Sequence, residues 1–231
     1  MSTVKIVHFS DVLCIWAYGG EANLFRLVKE FGPGVSMDVH HCSVFPDTQT
    51  KMDRAWGQRG GYEGYGRHVR EAAARFDDLT IHPDTWSRVR PRSSASPHLC
   101  VKAIELLEAS DPAALAAAFS QRPSIKAAKE LRRAFFADAR DISNWKEQRT
   151  VCDRIGVDFD AVLEKIETGE AIARLAADYD LAQSSGVRGS PTYLMNDGRQ
   201  KLYGNVSYGI LAANVAELIS DDGDVIASPC S

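Results

Sequence analysis

The 231-residue sequence predicts an α/β fold: a βαβ half and a ββα half, with an all-helical insertion between them. Three observations carry this reading. β-branched and aromatic runs of strand length lie near the two ends of the chain. Residues 57–180 space their apolar side chains with a helical period almost throughout. Asn196-Asp197-Gly198, a strong hairpin signal, joins two short runs close to the C-terminal end. The expected division is residues 1–56 with 181–231 as one domain and 57–180 as the insertion.

Val4 to Phe9 (VKIVHF) reads as the first strand. The stretch EANLFRLVKEFG follows as a helix, with Ala22, Phe25, Leu27 and Val28 expected along its buried face. Gly32-Pro33-Gly34 stops it. Val35 to Phe45 reads as a second strand running in the same sense as the first. Strand, helix, strand makes a crossover of the right-handed kind. WGQRGGYEGYG (56–66) is expected to be a glycine-rich loop leading into the insertion. Ser96-Pro97 and Asp111-Pro112 each open a helix. Ile125, Ala128, Leu131 and Phe135 mark another. Asp158 caps a short helix that Gly169 closes. Ile172, Leu175, Ala176 and Tyr179 mark the last helix of the insertion. Thr192 to Met195 and Gln200 to Tyr203 form the hairpin, and a helix from about Ser207 to Ile219 covers it. The tail DDGDVIASPCS is expected to be loose.

Composition narrows the function. Apolar residues make up 45% and charged residues 25% of the chain, and the net charge is −4. That balance offers no basic field for nucleic acid or an anionic membrane surface. No apolar stretch approaches the roughly 20 residues of a membrane span. The first residues lack the pattern of a secretory signal, so the expected location is cytoplasmic. The five cysteines (Cys14, Cys42, Cys100, Cys152, Cys230) are widely spaced and odd in number. They point to free thiols rather than to a disulfide framework or a paired-cysteine metal site. His40-His41 lies in a strand, where neighbours point to opposite faces and cannot share one metal ion. No metal is expected. The basic runs RVRPR (88–92) and KAAKELRR (126–133) read as solvated faces. The glycines of GGYEGYG do not fit a nucleotide fingerprint.

Two segments stand at matched places in this layout. SDVLCIWAYGG (10–20) puts Cys14 where the first strand passes into the first helix, and GVRGSPTY (186–193) leads through Pro191 into the third strand. A helix N-terminus favours the thiolate, the reactive form of cysteine, so Cys14 is expected to be acidified. Trp16 and Tyr18 offer an aromatic surface beside it.

A cysteine at the first helix, a proline before the hairpin and a helical insertion between the halves together resemble the DsbA-like family of the thioredoxin fold, in its cytoplasmic FrnE-type branch. That branch usually carries a Cys-Pro-Trp-Cys-Tyr stretch. The resemblance implies a thiol–disulfide oxidoreductase or isomerase with Cys14 as nucleophile. It implies a cis Pro191 facing Cys14, and Ser190 presenting a backbone edge to an extended peptide or to glutathione. Thr192 follows on that edge. Arg188 is the cation best placed to recruit an anionic substrate. This sequence departs from the pattern at Ala17, where the second cysteine would stand. Without it an outside thiol must complete each exchange, and glutathione, acting as cosubstrate without tight binding, is the expected one. Cys42, Cys100 and Cys230 are the alternative resolving thiols.

Two other readings share the plan. Kappa-class glutathione transferases and hydroxychromene-carboxylate isomerases have the same insertion, but GNVSYG (204–209) lacks the Asp-Arg pair that grips the γ-glutamyl end in those relatives. A non-catalytic binding protein is the third. Expected partners are a thiol or disulfide substrate and glutathione, and a homodimer is compatible with this plan.

Overall fold

The structure, a computed structural model, describes residues 3–220. The tail from Asp221, including Cys230, lies outside the described residues. Strand β1 (Val4–Ser10) is followed by helix α1 (Ile15–Phe31) and strand β2 (Val35–His41). Helices α2 (Thr48–Trp56) and α3 (Gly61–Ala73) come next. The insertion continues with α4 (Ala95–Ala109), α5 (Pro112–Ala116), α6 (Pro123–Phe136) and α7 (Trp145–Ile155), then α8 (Phe159–Glu167) and α9 (Glu170–Ser184). Strands β3 (Thr192–Met195) and β4 (Gln200–Tyr203) and helix α10 (Tyr208–Ser220) complete the chain.

One four-stranded sheet has the order β2-β1-β3-β4. β1 and β2 are parallel, in a register that sets Val4 against Val35 and Ser10 against His41. β3 runs antiparallel to β1, and β4 to β3. The strand period of two sorts the side chains. Val4, Ile6, Val35, Met37, Tyr193 and Met195 share one face, where Leu24 and Leu27 of α1 and Leu211, Val215 and Leu218 of α10 cover them. Phe9 and Leu194 face the other way, onto Cys42 and onto Ala182 of α9. The largest core lies in the insertion, and it takes in Val12 to Ile15 and Ala17. The turn that delivers Cys14 is therefore gripped by the insertion as well as by the sheet.

The two aspartate caps act as expected, whereas Ser96 lies inside α4, which starts at Ala95 with Ser94 at its N-cap. The Asp111 side chain accepts from Ala113 N, and that of Asp158 from Asp160 N. The left-handed turn at Asn196, Asp197 and Gly198 closes the hairpin. Four further expectations need correction. Residues 61–66, expected to be loop, are the start of helix α3: Gly64 lies so close to the Arg59 carbonyl that a Cβ would stand 1.9 Å from it. Its glycine serves close packing rather than a turn. In α1 the buried positions are Ile15, Ala17, Gly20, Leu24 and Leu27; of the expected four only Leu27 is among them, and Ala22 is exposed. In α9 they are Ala171, Leu175, Asp178 and Ala182, while Ile172 is 53% exposed. An apolar pattern alone missed this face because one of its members is a buried carboxylate. Arg132 is not solvated: it is buried, donating to Glu21 and to Ser10 Oγ, each at 3.0 Å.

Candidate active site

β1 ends at Ser10, and the next three residues turn the chain sharply into α1. Asp11 holds that turn. Its Oδ1 accepts from Leu13 N at 2.9 Å, and its backbone carbonyl accepts from Cys14 N at 3.1 Å. Its Oδ2 accepts from Val44 N (3.0 Å), Phe45 N (3.2 Å) and Ser94 Oγ (2.7 Å). The carboxylate is wholly buried and joins β1, the strand-two exit and the start of α4. Charge-assisted bonds of this number offset the cost of burying an anion.

Cys14 occupies the N-cap position of α1 in an extended conformation. Opposite it, the Ser190–Pro191 peptide bond is cis. The Cys14 thiol donates to the Ser190 carbonyl at 3.1 Å rather than capping its own helix. The Ser190 hydroxyl accepts from Asp11 N at 2.9 Å, so loop and turn are bound to each other twice. The expected acidification of Cys14 is not found. Burial pushes its thiol up; the Ser190 side chain and the amides of Ala17 and Trp16 pull it down, and Asp11 pushes it up again. Desolvation of a nearly inaccessible sulfur outweighs the helix N-terminus.

The other expected residues fall in distinct places. Trp16 is half-buried, edge-on to Phe76 at 6.2 Å with the Arg75 guanidinium 5.6 Å from its ring centre. Tyr18 stacks on Phe136 at 5.1 Å and 10°. Both aromatics of the motif pack onto the insertion. Thr192 is buried and its hydroxyl donates to the Gly189 carbonyl at 2.8 Å, which shapes the proline loop from within. Arg188 is exposed and lines a surface cavity of about 460 Å³ with Cys42, Lys51, Tyr179 and Val187.

Cys42 follows β2 directly, its amide bonded to Ser10 O at 3.1 Å. Its sulfur lies 3.9 Å from the Gly189 carbonyl, one residue before the carbonyl that Cys14 uses. Burial first, then the charges of Asp11 and Cys14, push its thiol far up. Cys100 and Cys152 meet each other instead, inside the insertion.

Three site features escaped the sequence. Asp11 is one; an acidic residue three before the cysteine, just after an apolar strand, was the available signal. His98 is the second: its Nε2 accepts from Val12 N at 3.2 Å, its Nδ1 pairs with Tyr179 OH at 3.1 Å, and its ring stacks on His41 at 4.1 Å. Burial holds it down to about 4, so it stands neutral near pH 7. Lys51 is the third. It donates to Val44 O at 3.0 Å and lies 4.5 Å from the Phe45 ring centre, and burial lowers it while Asp11 and Cys14 raise it. Nothing in the local sequence of α2 marks it.

A thiol at the first helix of a thioredoxin-type sheet, facing a cis-proline loop under a helical insertion, defines a DsbA-like protein. The family model described as the DSBA-like thioredoxin domain matches residues 5–216, and the chain belongs to that family. No curated protein matches the sequence. Solved structures share the fold at low identity. The cytosolic disulfide reductase DsbM from Pseudomonas aeruginosa is 20% identical, with a TM-score of 0.62 over 94% of this chain and 95% of that one. A protein described as a probable DsbA oxidoreductase from Streptomyces coelicolor is 18% identical, with a TM-score of 0.68 over 94% and 91%. A 2-hydroxychromene-2-carboxylate isomerase is 14% identical, with a TM-score of 0.61 over 93% and 95%. Among the described residues no helix is long and apolar enough to cross a membrane.

Proposed function

We propose that this protein is a thiol–disulfide oxidoreductase or isomerase that works through Cys14 alone, with glutathione as the outside thiol. The observation that carries the reading is the Cys14 sulfur set 3.1 Å from the carbonyl of the cis Ser190–Pro191 unit, with Ala17 where a second thiol would stand. A substrate disulfide that displaces the thiol from that carbonyl meets the sulfur directly. The Cys14 thiolate attacks one substrate sulfur, the substrate S–S bond breaks, and the departing thiolate takes up a proton. Glutathione thiolate then attacks the mixed disulfide and returns Cys14. Arg188, on the cavity that Cys42 and Gly189 line, favours an anionic disulfide arriving from that side of the proline loop. The raised Cys14 makes this a slow nucleophile at neutral pH, suited to exchange that begins once a substrate is bound.

The test is intact-mass analysis and peptide mapping after exposure to oxidised glutathione, sampled until the adduct level is constant. One adduct, confined to Cys14 and absent from C14S, supports the reading. An internal disulfide between Cys14 and Cys42 replaces it with a two-thiol cycle. An unmodified Cys14 rejects the redox reading. The likeness to the isomerase supports a second reading, in which glutathione is bound as a cosubstrate. Tight glutathione binding to C14S, without any mixed disulfide in the parent protein, would favour it.

A further inference from the structure

Away from Cys14, the insertion holds a second pair of thiols. Cys100 of α4 and Cys152 of α7 are fully buried, with their sulfurs 4.0 Å apart. The facing of these helices is fixed one turn earlier. Gln148 of α7, also fully buried, donates through Nε2 to Ser96 Oγ of α4 at 2.8 Å and to Ile142 O at 2.9 Å. Ser96 lies four residues before Cys100, and Gln148 four residues before Cys152, so both pairs sit on one line of contact between the helices. The hydrogen bond sets the register that brings the sulfurs together.

We propose that Cys100 and Cys152 are a latent disulfide, closed reversibly by a peroxide-class oxidant, that ties α7 to α4. A disulfide needs its sulfurs at about 2.05 Å, so roughly 2 Å of approach remains, taken up by side-chain rotation and a small shift of α7. The contact between the thiols polarises them in opposite senses. The Cys100 hydrogen bond pulls Cys152 below its ordinary value, and the same bond, with burial, pushes Cys100 up. One of the two thiolates attacks a peroxide oxygen, the O–O bond breaks, and a sulfenic acid and one water result. The other thiol, 4.0 Å away, then attacks that sulfur, the S–O bond breaks, and the oxygen leaves as a second water. Two thiols lose two electrons in all, and one peroxide becomes two waters.

The crosslink would bear on Cys14 through α4. Ser94, just before that helix, donates to Asp11, and His98 in its first turn accepts from Val12 N. Tying α4 to α7 stiffens the element that holds the nucleophile's turn.

The test treats the parent protein and C14S with a modest excess of hydrogen peroxide, then alkylates under denaturing conditions and digests without reduction. The expected result for C14S is a loss of two hydrogens, a peptide joining Cys100 to Cys152, and reversal by dithiothreitol. Thermal unfolding of the oxidised protein should rise by about 5 °C or more. C14S/C152S should show neither change. Recovery of both cysteines as free thiols, their oxidation to sulfinic or sulfonic acids without a crosslink, or a disulfide that joins other cysteines would overturn the proposal.

Discussion

Substituting Asp11 by asparagine tests the account of the site most directly. The carboxylate has no exposed surface and accepts from Leu13 N, Val44 N, Phe45 N and Ser94 Oγ. Asparagine keeps the shape but offers one oxygen and one NH₂ group. With its oxygen towards Val44 and Phe45, its NH₂ meets the Leu13 N–H, and that buried donor loses its acceptor. One orphaned donor costs about 1–3 kcal/mol, and the remaining bonds lose their charge assistance. A total of about 2–4 kcal/mol follows, which for a chain of this size lowers the melting temperature by roughly 5–15 °C. Asp11 also pushes the Cys14 thiol up, so its neutralisation should let Cys14 titrate at lower pH. Circular dichroism reads the first effect, and the pH dependence of iodoacetamide alkylation at Cys14 reads the second. A D11N protein that melts within 1 °C of the parent by rough allowance for error, or whose Cys14 titrates unchanged or higher, would refute the argument.

Other outcomes follow from the same structure. In the parent protein, Cys14 alkylation should accelerate only above the ordinary thiol range, because burial raises the thiol; a rate flat from pH 5 to 9 would contradict this. Burial holds His8 down to about 3, His98 to about 4, and His41 well below its ordinary value of 6.5. As pH falls from 6.5 towards 4 the unfolded chain therefore binds more protons than the folded one. Stability is full above that window and is lost across it, by up to about 1.4 kcal/mol per pH unit for each histidine. Urea titrations at pH 7 and pH 5 that give equal stability would exclude it. Lys102, 2% exposed, is bonded to Asp178 at 2.8 Å and to Glu105 at 2.7 Å. K102M should cost about 3–5 kcal/mol in urea unfolding, because it leaves Asp178 buried without its lysine. R188A should leave the melting temperature unchanged and slow the reaction with oxidised glutathione roughly two- to fivefold at low salt, an effect that fades as salt rises. An equal loss with an uncharged disulfide would argue against recruitment by charge.

The order of strands and helices was legible because each rests on local chemistry. β-branched runs made β1, β2 and β3, the Asn-Asp-Gly turn made the hairpin, and aspartates opened α5 and α8. Cys14 and Pro191 were legible for a similar reason, since each stands at a boundary where local sequence sets the backbone. What could not be read was which face of a helix turns inward, and how far burial overrides a local dipole. Asp178 lies inside while Ile172 lies outside, because a lysine 76 positions earlier on α4 receives the carboxylate. Asp11 drew no reading from its local sequence, because its side-chain partners come from residues 13, 44, 45 and 94. Cys100 was a candidate partner for Cys14, yet the packing of the insertion sets its sulfur 4.0 Å from that of Cys152. Local sequence determines backbone conformation, residue by residue; partnership and desolvation are properties of distant segments brought together, and only the tertiary structure decides them.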